Sequence, residues 1–452
     1  MKLGIVGSGI VGLWMAHGLR QRGHEVTLYS ARTGEQWLHD SAPTGGAGRF
    51  RDAIALERSI GLGQWEHAAP WAEGVHLTLS TSAKNRILTL VGKVNGPAMA
   101  VDMRLQIHRW MEQLVELGGQ VVVEAVDVAR LDAISREHDL TFVAVGRGPL
   151  CDVFPRDAVR SLRSSAPRQL AMVIVDGGAL TFPGVPFRPV RFHVTPDDGE
   201  TFWTPYLHKS GKPMWSLLVE AKAGGAFDRF AGATDGHEVL ARMKTLIAER
   251  LPWDAEWVKD MVLADEHGWL VGEIVPSIRG PAASLPSGRA VMALGDTAMS
   301  MDPCAGQGAN NGARMVRSYL AAIDAAVAEG RALDAAFMSA AFEAFYADSG
   351  ERTFVFSDLL TQPMAKGGQA LLLAQYGSTG SGTSAEQRIA DAIGENFVVP
   401  GALNDCFVDE KAAHAFIAKM VGGSARWHLF KKTLAVGLQQ LRQAVGLQAR
   451  HP

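Results

Sequence analysis

At 452 residues, 47% of them hydrophobic and 20% charged, the chain can build a large core and carries about three domains' worth of sequence. Its net charge of −3 supplies no global basic field for nucleic acid, and no apolar run is long enough to predict a membrane span. Three cysteines, Cys151, Cys304 and Cys406, are odd in number, far apart and without metal-ligand spacing, so no metal site is expected and a reducing cytoplasmic setting fits. No signal segment is expected ahead of the first strand.

The segment Lys2-Leu3-Gly4-Ile5-Val6-Gly7-Ser8-Gly9-Ile10-Val11-Gly12 reads as an apolar strand, a glycine turn and a helix start. That order is a dinucleotide-binding fingerprint: Gly7 permits the tight turn, Gly9 lets the backbone approach a pyrophosphate, and Gly12 lets helix and strand pack closely. The free N–H groups at the helix start, from Ile10 and Val11 onward, would receive phosphate. A second strand, Glu25 to Tyr29, ends at Ser30 and is followed by Arg32. The carboxylate expected there for a ribose is missing, which predicts a loosely held adenosine half or a contact from Arg32, with Ser30 as a plain turn residue the equal alternative.

The stretch Ser41 to Arg51 holds Gly45, Gly46, Gly48 and Arg49, either a backbone surface for a flat or charged ligand or an ordinary loop. A short helix is predicted over 55–66 and paired strands over 75–95. Another helix opens at Ala100 to Leu105 and closes at Gly118-Gly119. Strands at Gln120 to Val123 and Leu140 to Val145 follow, the latter running into Gly146, where a parallel sheet meets its ligands. From about residue 170 the strands Met172 to Val175, Arg191 to Val194, Thr201 to Tyr206, Trp215 to Glu220 and Trp269 to Val275 predict an inserted antiparallel sheet. Trp203, Trp215, Trp253, Trp257 and Trp269 are expected in its core.

The first sheet then resumes at Arg289 to Asp296. Met301 to Gly312 leads into a helix, so a strand-end carboxylate and a glycine-rich helix start lie together. Asp296 there suits a ribityl hydroxyl, and the helix start suits a polar ring edge. From 326 onward the chain is alanine-rich and helical, broken by Gly377 to Ser384, which is expected to be mobile. Near the end Trp427, Phe430, Leu434, Leu438, Leu441 and Val445 recur at helical spacing beside Arg426, Lys431, Lys432 and Arg442. Such a stripe reads as core or a homodimer contact, with membrane-surface attachment the minor alternative.

With both nucleotide motifs in hand, the chain resembles FAD-dependent monooxygenases, and more narrowly the oxygenase component of two-component styrene and indole monooxygenases, the group E flavoproteins. The similarity runs through residues 2–29 and 54–65, Ala100 to Leu105, Leu140 to Gly146 and Glu273 to Arg279. Above all it rests on Gly295-Asp296, Asp302-Pro303 and Gly306-Gln307-Gly308-Ala309-Asn310 in the family's order.

The resemblance implies an α/β fold with a Rossmann-like FAD-binding domain of the glutathione reductase and p-hydroxybenzoate hydroxylase type. That domain would comprise 1–75, 96–170 and 276–325, with an antiparallel substrate-binding sheet from 76–95 and 171–275 and a helical C-terminal region over 326–452. It further implies Gly7, Gly9 and Gly12 at the FAD pyrophosphate, Asp296 on the ribityl side, Pro303 near the flavin ring and substrate, with Cys304 adjoining it, and backbone donors from Gly306 to Asn310 at the pyrimidine edge. Arg104 falls where related hydroxylases place a cofactor-contacting arginine, unless it is simply a helix-surface residue.

The reaction implied is reduction of FAD by a separate NADH-dependent reductase, oxygen addition to give a flavin C4a-hydroperoxide, and oxygen transfer to a small apolar aromatic alkene or indole-like substrate. Such chemistry needs a dry pocket and positioning more than acid or base catalysis. The family carries an asparagine and other polar residues over 44–50, where this chain has Gly45, Gly46 and Gly48 with Arg49 close by. Alternatives are a self-sufficient NAD(P)H-dependent flavin hydroxylase or reductase and a non-catalytic flavin carrier. A halogenase is disfavoured, because Pro252-Trp253 to Trp257-Val258 does not match the tryptophan signature of those enzymes.

Overall fold

The structure, a computed structural model, describes residues 1–46, 48–82 and 85–444. Strand Lys2–Val6 lies inside a six-stranded sheet whose order is Ala282–Ser284, Ala290–Ala293, Leu140–Val143, Lys2–Val6, Glu25–Ser30 and Gln120–Val123. All pairs are parallel except the one made by the edge strand Ala282–Ser284. Leu3, Ile5 and Val6 are buried, as are Leu140, Phe142 and Val143 beside them, because a parallel strand covered on both faces must be apolar throughout. The chain leaves Lys2–Val6 in opposite directions across the sheet, so a crevice opens at the carboxyl ends of the strands.

A nine-stranded sheet lies beyond it, ordered Val262–Leu263, Gln169–Asp176, Pro213–Ala221, Gly199–Leu207, Pro189–Thr195, Ala72–Ser82, Asn85–Ala100 and Gly48–Arg49, with Trp269–Glu273 also pairing with Gln169–Asp176. The expected all-antiparallel sheet is corrected at one seam: Ala72–Ser82 runs parallel to Pro189–Thr195. These strands belong to segments separated by a long stretch of the first sheet, and a parallel pair needs such a crossover where a hairpin does not. Trp203 and Trp215 are fully buried in this sheet's core, with Trp253, Trp257 and Trp269 packed against it.

Two helix boundaries differ from the sequence reading. The first helix after the glycine loop is Arg51–Ser59. Strand Asn85–Ala100 runs on to the point where a helix was expected to open, and Asp102 caps helix Met103–Glu116 by accepting the Arg104 N–H at 3.0 Å. The segment Gly377 to Ser384 is fixed in place. Ser378 Oγ accepts the Val91 N–H at 3.0 Å, and Gln387 Oε1 accepts the N–H groups of Thr379 and Gly380 at 3.0 and 2.9 Å. Its serines and glycines read as flexible because neither the distant Val91 nor the nearby Gln387 is marked by the sequence as their partner. The terminal helix Ala425–Ala444 docks one face through His428, whose Nε2 donates to the Ala374 carbonyl at 2.8 Å, and through Lys432, which meets Glu386 at 2.8 Å. Its opposite face carries the apolar stripe, which is therefore not core, and Val445 lies outside the described residues. Among the described residues no helix is long and apolar enough to cross a membrane.

Candidate active site

The crevice at the strand ends is a cavity of about 330 Å³, walled by both sheets and by the C-terminal helices. Its floor is the turn between strand Lys2–Val6 and helix Ile10–Gln21. Gly7 sits at φ 114°, and a Cβ there would lie 2.2 Å from the Ala144 carbonyl oxygen; one on Gly12 would lie 2.1 Å from the Gly7 carbonyl oxygen. Gly9 is different. A Cβ there meets nothing within 4 Å, and Gly9, Ile10, Val11 and Gly12 all line the cavity. Two glycines thus shape the turn while the third keeps open the approach to the helix start, a cradle that fits a pyrophosphate.

Asp296 closes the next strand and faces the cavity, and no donor among the described residues hydrogen-bonds its carboxylate. Burial raises its pKa, offset in part by the charge of Arg147. An unpartnered carboxylate in a hollow calls for hydroxyl donors, which a ribityl chain has. Gly146, at φ 64°, stands beside it on the cavity wall.

Beyond Asp296 the wall turns over Pro303, Cys304 and Gly306 to the start of helix Gly308–Ala328. Gly306 needs its left-handed φ of 63° to bring Gly308 and Ala309 round, and both line the cavity, where first-turn N–H groups have no helical partner. Gln307 and Asn310, expected to add backbone donors, are corrected: neither residue lines the cavity. Gln307 Nε2 donates to the carbonyls of Ala305 and Phe397 at 2.9 and 2.7 Å. Asn310 Oδ1 accepts the Phe50 N–H at 2.7 Å while its Nδ2 donates to the carbonyls of Gly48 and Gly306 at 3.0 and 2.7 Å. Asn310 therefore ties the two glycine loops together. Cys304 also lines the cavity, and burial pushes its thiol well above its ordinary range, so the thiol remains protonated and a poor nucleophile.

On the opposite wall Gly45, Gly46 and Gly48 face the cavity, and a Cβ on any of them meets open space. Arg49 lines the wall too, with its guanidinium paired to Glu57 at 2.6 Å and bonded to Gln106 Oε1. Burial lifts Glu57 to about 7 against the pull of Arg49.

Arg104 contradicts both of its expected places. It is fully buried rather than on the helix surface, and it does not line the cavity. All five of its N–H donors are engaged: with Asp102 at 2.9 and 2.7 Å, with Asp265 at 2.9 Å twice, and with the Ser41 carbonyl at 3.3 Å. Burial alone would raise Asp265, but hydrogen bonds from His208 and Arg104 hold it below the ordinary carboxylate range. Arg104 thus clamps the first sheet's helix to the second sheet.

Ser30 likewise does not line the cavity; it is the last residue of strand Glu25–Ser30. Its hydroxyl donates to the Arg32 carbonyl at 2.6 Å, and the Ser8 hydroxyl meets it at 2.7 Å, itself accepting from Trp37 Nε1 at 3.0 Å. Arg32 lies over the Trp37 ring, 5.3 Å from its centre, and does not line the cavity.

No sequence motif points to the remaining wall. Val75, Val190, Phe192, Phe202 and Leu218 from the second sheet, with Phe397 from helix Ala385–Val398, make it apolar. The predicted strands include Phe192, Phe202 and Leu218, but nothing in their pattern says what they face.

Comparison with known proteins fits this geometry. Residues 146–257 match the family model "Styrene monooxygenase A putative substrate binding domain", and residues 5–35 match an NAD(P)-binding Rossmann-like domain. The styrene monooxygenase StyA of Pseudomonas fluorescens is 27% identical over 322 residues, covering 68% of this chain and 74% of that protein. Among solved structures, the flavin-dependent brominase Bmp2 superposes with a TM-score of 0.58 at 16% identity, covering 80% of this chain and 86% of its own. PqsL, a probable FAD-dependent monooxygenase from Pseudomonas aeruginosa, gives 0.54 at 16% identity, covering 87% and 99%. At these identities the two structures speak to the fold.

Proposed function

The chain is a styrene-monooxygenase-like flavin-dependent monooxygenase, and from that premise we propose that it is the oxygenase of a two-component system, using FAD already reduced by a separate NADH-dependent reductase to oxygenate an apolar aromatic alkene or an indole-like molecule. Bound reduced FAD would supply two electrons to O2, so that one oxygen atom enters the substrate and the other leaves as water.

The single observation that carries the proposal is one continuous cavity with two kinds of wall. Its polar end, Gly9 to Gly12 with Asp296, Gly308 and Ala309, offers backbone N–H groups and a carboxylate that fit a pyrophosphate, a ribityl chain and a ring edge. Its other end is apolar. Val190, Phe192, Phe202 and Phe397 would exclude water and hold an aromatic substrate by shape, and the Asn310 ties would hold the two glycine loops on either side of the ring. No side chain need move a proton to the substrate, in keeping with a protonated Cys304 and an Arg49 already paired to Glu57.

Purified protein given FAD and NADH alone should consume no NADH and make no product. Adding an NADH-dependent flavin reductase with styrene or indole should yield oxygenated product. NADH or NADPH oxidation by the pure protein, coupled to product, would identify a self-sufficient hydroxylase instead.

A further inference from the structure

We propose that the terminal helix Ala425–Ala444 is a membrane-surface anchor that docks on an anionic lipid headgroup layer. Trp427, Phe430, Leu434, Leu438 and Leu441 are between 53% and 66% exposed, on the side facing away from the helix's docked face. At roughly 100° per residue these five fall within an arc of about 80°. Trp427 and Phe430 stack on each other, 5.5 Å apart at 20°, so the start of the stripe is a flat aromatic surface. An apolar face of this kind on a fixed helix is not left to water without a partner.

Charge chooses that partner. Lys431 and Arg442 border the stripe on one side and Arg426 on the other, all exposed, and 425–444 contains no aspartate or glutamate. Lys432 points the other way, toward Glu386. A second copy of the chain fits poorly. Antiparallel pairing about Leu434 would set Arg426 against Arg442 twice over, and parallel pairing would set each cation against itself. An anionic interface takes both features at once: the aromatic and leucine side chains enter the headgroup boundary while the flanking cations meet lipid phosphates. The inner-face ties through His428 and Lys432, with Gln440 Nε2 donating to the Arg86 carbonyl at 3.1 Å, keep the helix on the protein while its outer face docks. For an apolar aromatic substrate, as proposed above, a lipid layer is also where the substrate concentrates. The docking does not depend on that reading, and its test contains no substrate.

The test is co-sedimentation of the full-length protein with vesicles of phosphatidylcholine alone and with vesicles of equal parts phosphatidylcholine and phosphatidylglycerol. Wild type should pellet with the anionic vesicles, remain in the supernatant with the zwitterionic ones, and be released by high salt. Leu434→Gln/Leu438→Gln and Lys431→Glu/Arg442→Glu should each lose about tenfold or more in vesicle affinity at unchanged melting temperature, since all four side chains are exposed. Wild-type protein that ignores both vesicle types would overturn the proposal, as would pelleting unaffected by either double variant. So would a dimer by light scattering that Leu434→Gln/Leu438→Gln converts to monomer, or retention of the flavin reductase on this face without vesicle binding.

Discussion

Glu220 and Asp302 meet carboxyl to carboxyl in a place closed to water. Both are buried, and with the Cys304 thiol their ligating atoms all lie within 4.8 Å of one another. Two carboxyls this close and this buried do not both carry a charge at low cost. Burial, and then the neighbouring Asp302, push Glu220 well above its ordinary 4.5. Asp302 in turn accepts the Cys304 N–H at 3.1 Å and so fixes the turn that carries Pro303 into the cavity.

A carboxyl with a raised folded pKa favours the fold while it stays protonated, so its contribution is complete below pH 4.5 and fades as pH rises toward the raised value. Glu220→Gln keeps a permanent donor toward Asp302 and removes that titration. Its melting temperature should therefore fall less than that of wild type between acid and alkaline pH. Glu220→Ala leaves a hole beside the Asp302 carboxyl and should cost about 1–3 kcal/mol in urea denaturation at acid pH, and less at high pH, where the Glu220 contribution has faded.

Gly9→Ala and Gly12→Ala should separate binding from folding. The first adds a methyl to open space, so it should melt like wild type and bind reduced FAD about tenfold more weakly in an anaerobic fluorescence titration. The second drives its methyl into the Gly7 carbonyl and should lower the melting temperature itself. Equal loss of FAD and of stability in both variants would mean that Gly9 serves only the turn.

Asp296→Ala removes a carboxylate that has no protein partner among the described residues. Thermal melts of the FAD-free protein should be unchanged or slightly higher, while affinity for reduced FAD should drop by about 1 kcal/mol or more, the worth of a hydrogen bond to a charged acceptor. The same loss of stability with intact binding would place Asp296 in the fold rather than at the ligand.

Gly45→Asn should fold normally, because a side chain there enters the cavity instead of the core. It should narrow the substrate range, lowering kcat/KM for a two-ring substrate such as indole by more than for styrene. Unchanged ratios in a competition assay would show that the Gly45 to Gly48 loop does not limit substrate size.

The nucleotide crevice was legible because its signals are local. Gly7, Gly9 and Gly12 sit within six residues at the turn from strand to helix, and Gly295-Asp296 follows an apolar strand, so spacing alone carried their geometry. Arg104 misled because its partner Asp265 lies far off in sequence and turns the pair with nearby Asp102 into a buried clamp; for Ser30 the alternative of a plain structural residue holds, its hydroxyl engaged by the Arg32 carbonyl and by Ser8. The Glu220–Asp302 pair was hidden in the same way, since a glutamate in a strand and an aspartate before a proline look like surface residues until the fold buries them together. The stripe from Trp427 to Leu441 was visible as a stripe, but periodicity does not tell an inward face from an outward one.

The most direct measurement is a single turnover with labelled oxygen. The protein is loaded anaerobically with chemically reduced FAD, then mixed with 18O2 and an aromatic panel containing styrene and indole, with no reductase and no nicotinamide present. The expected result is product carrying one 18O atom, in an amount set by the reduced FAD supplied and lost in Gly9→Ala at limiting FAD. Complete return to oxidised FAD with hydrogen peroxide, and no label in any aromatic product, would contradict an oxygenase that draws its electrons from free reduced FAD.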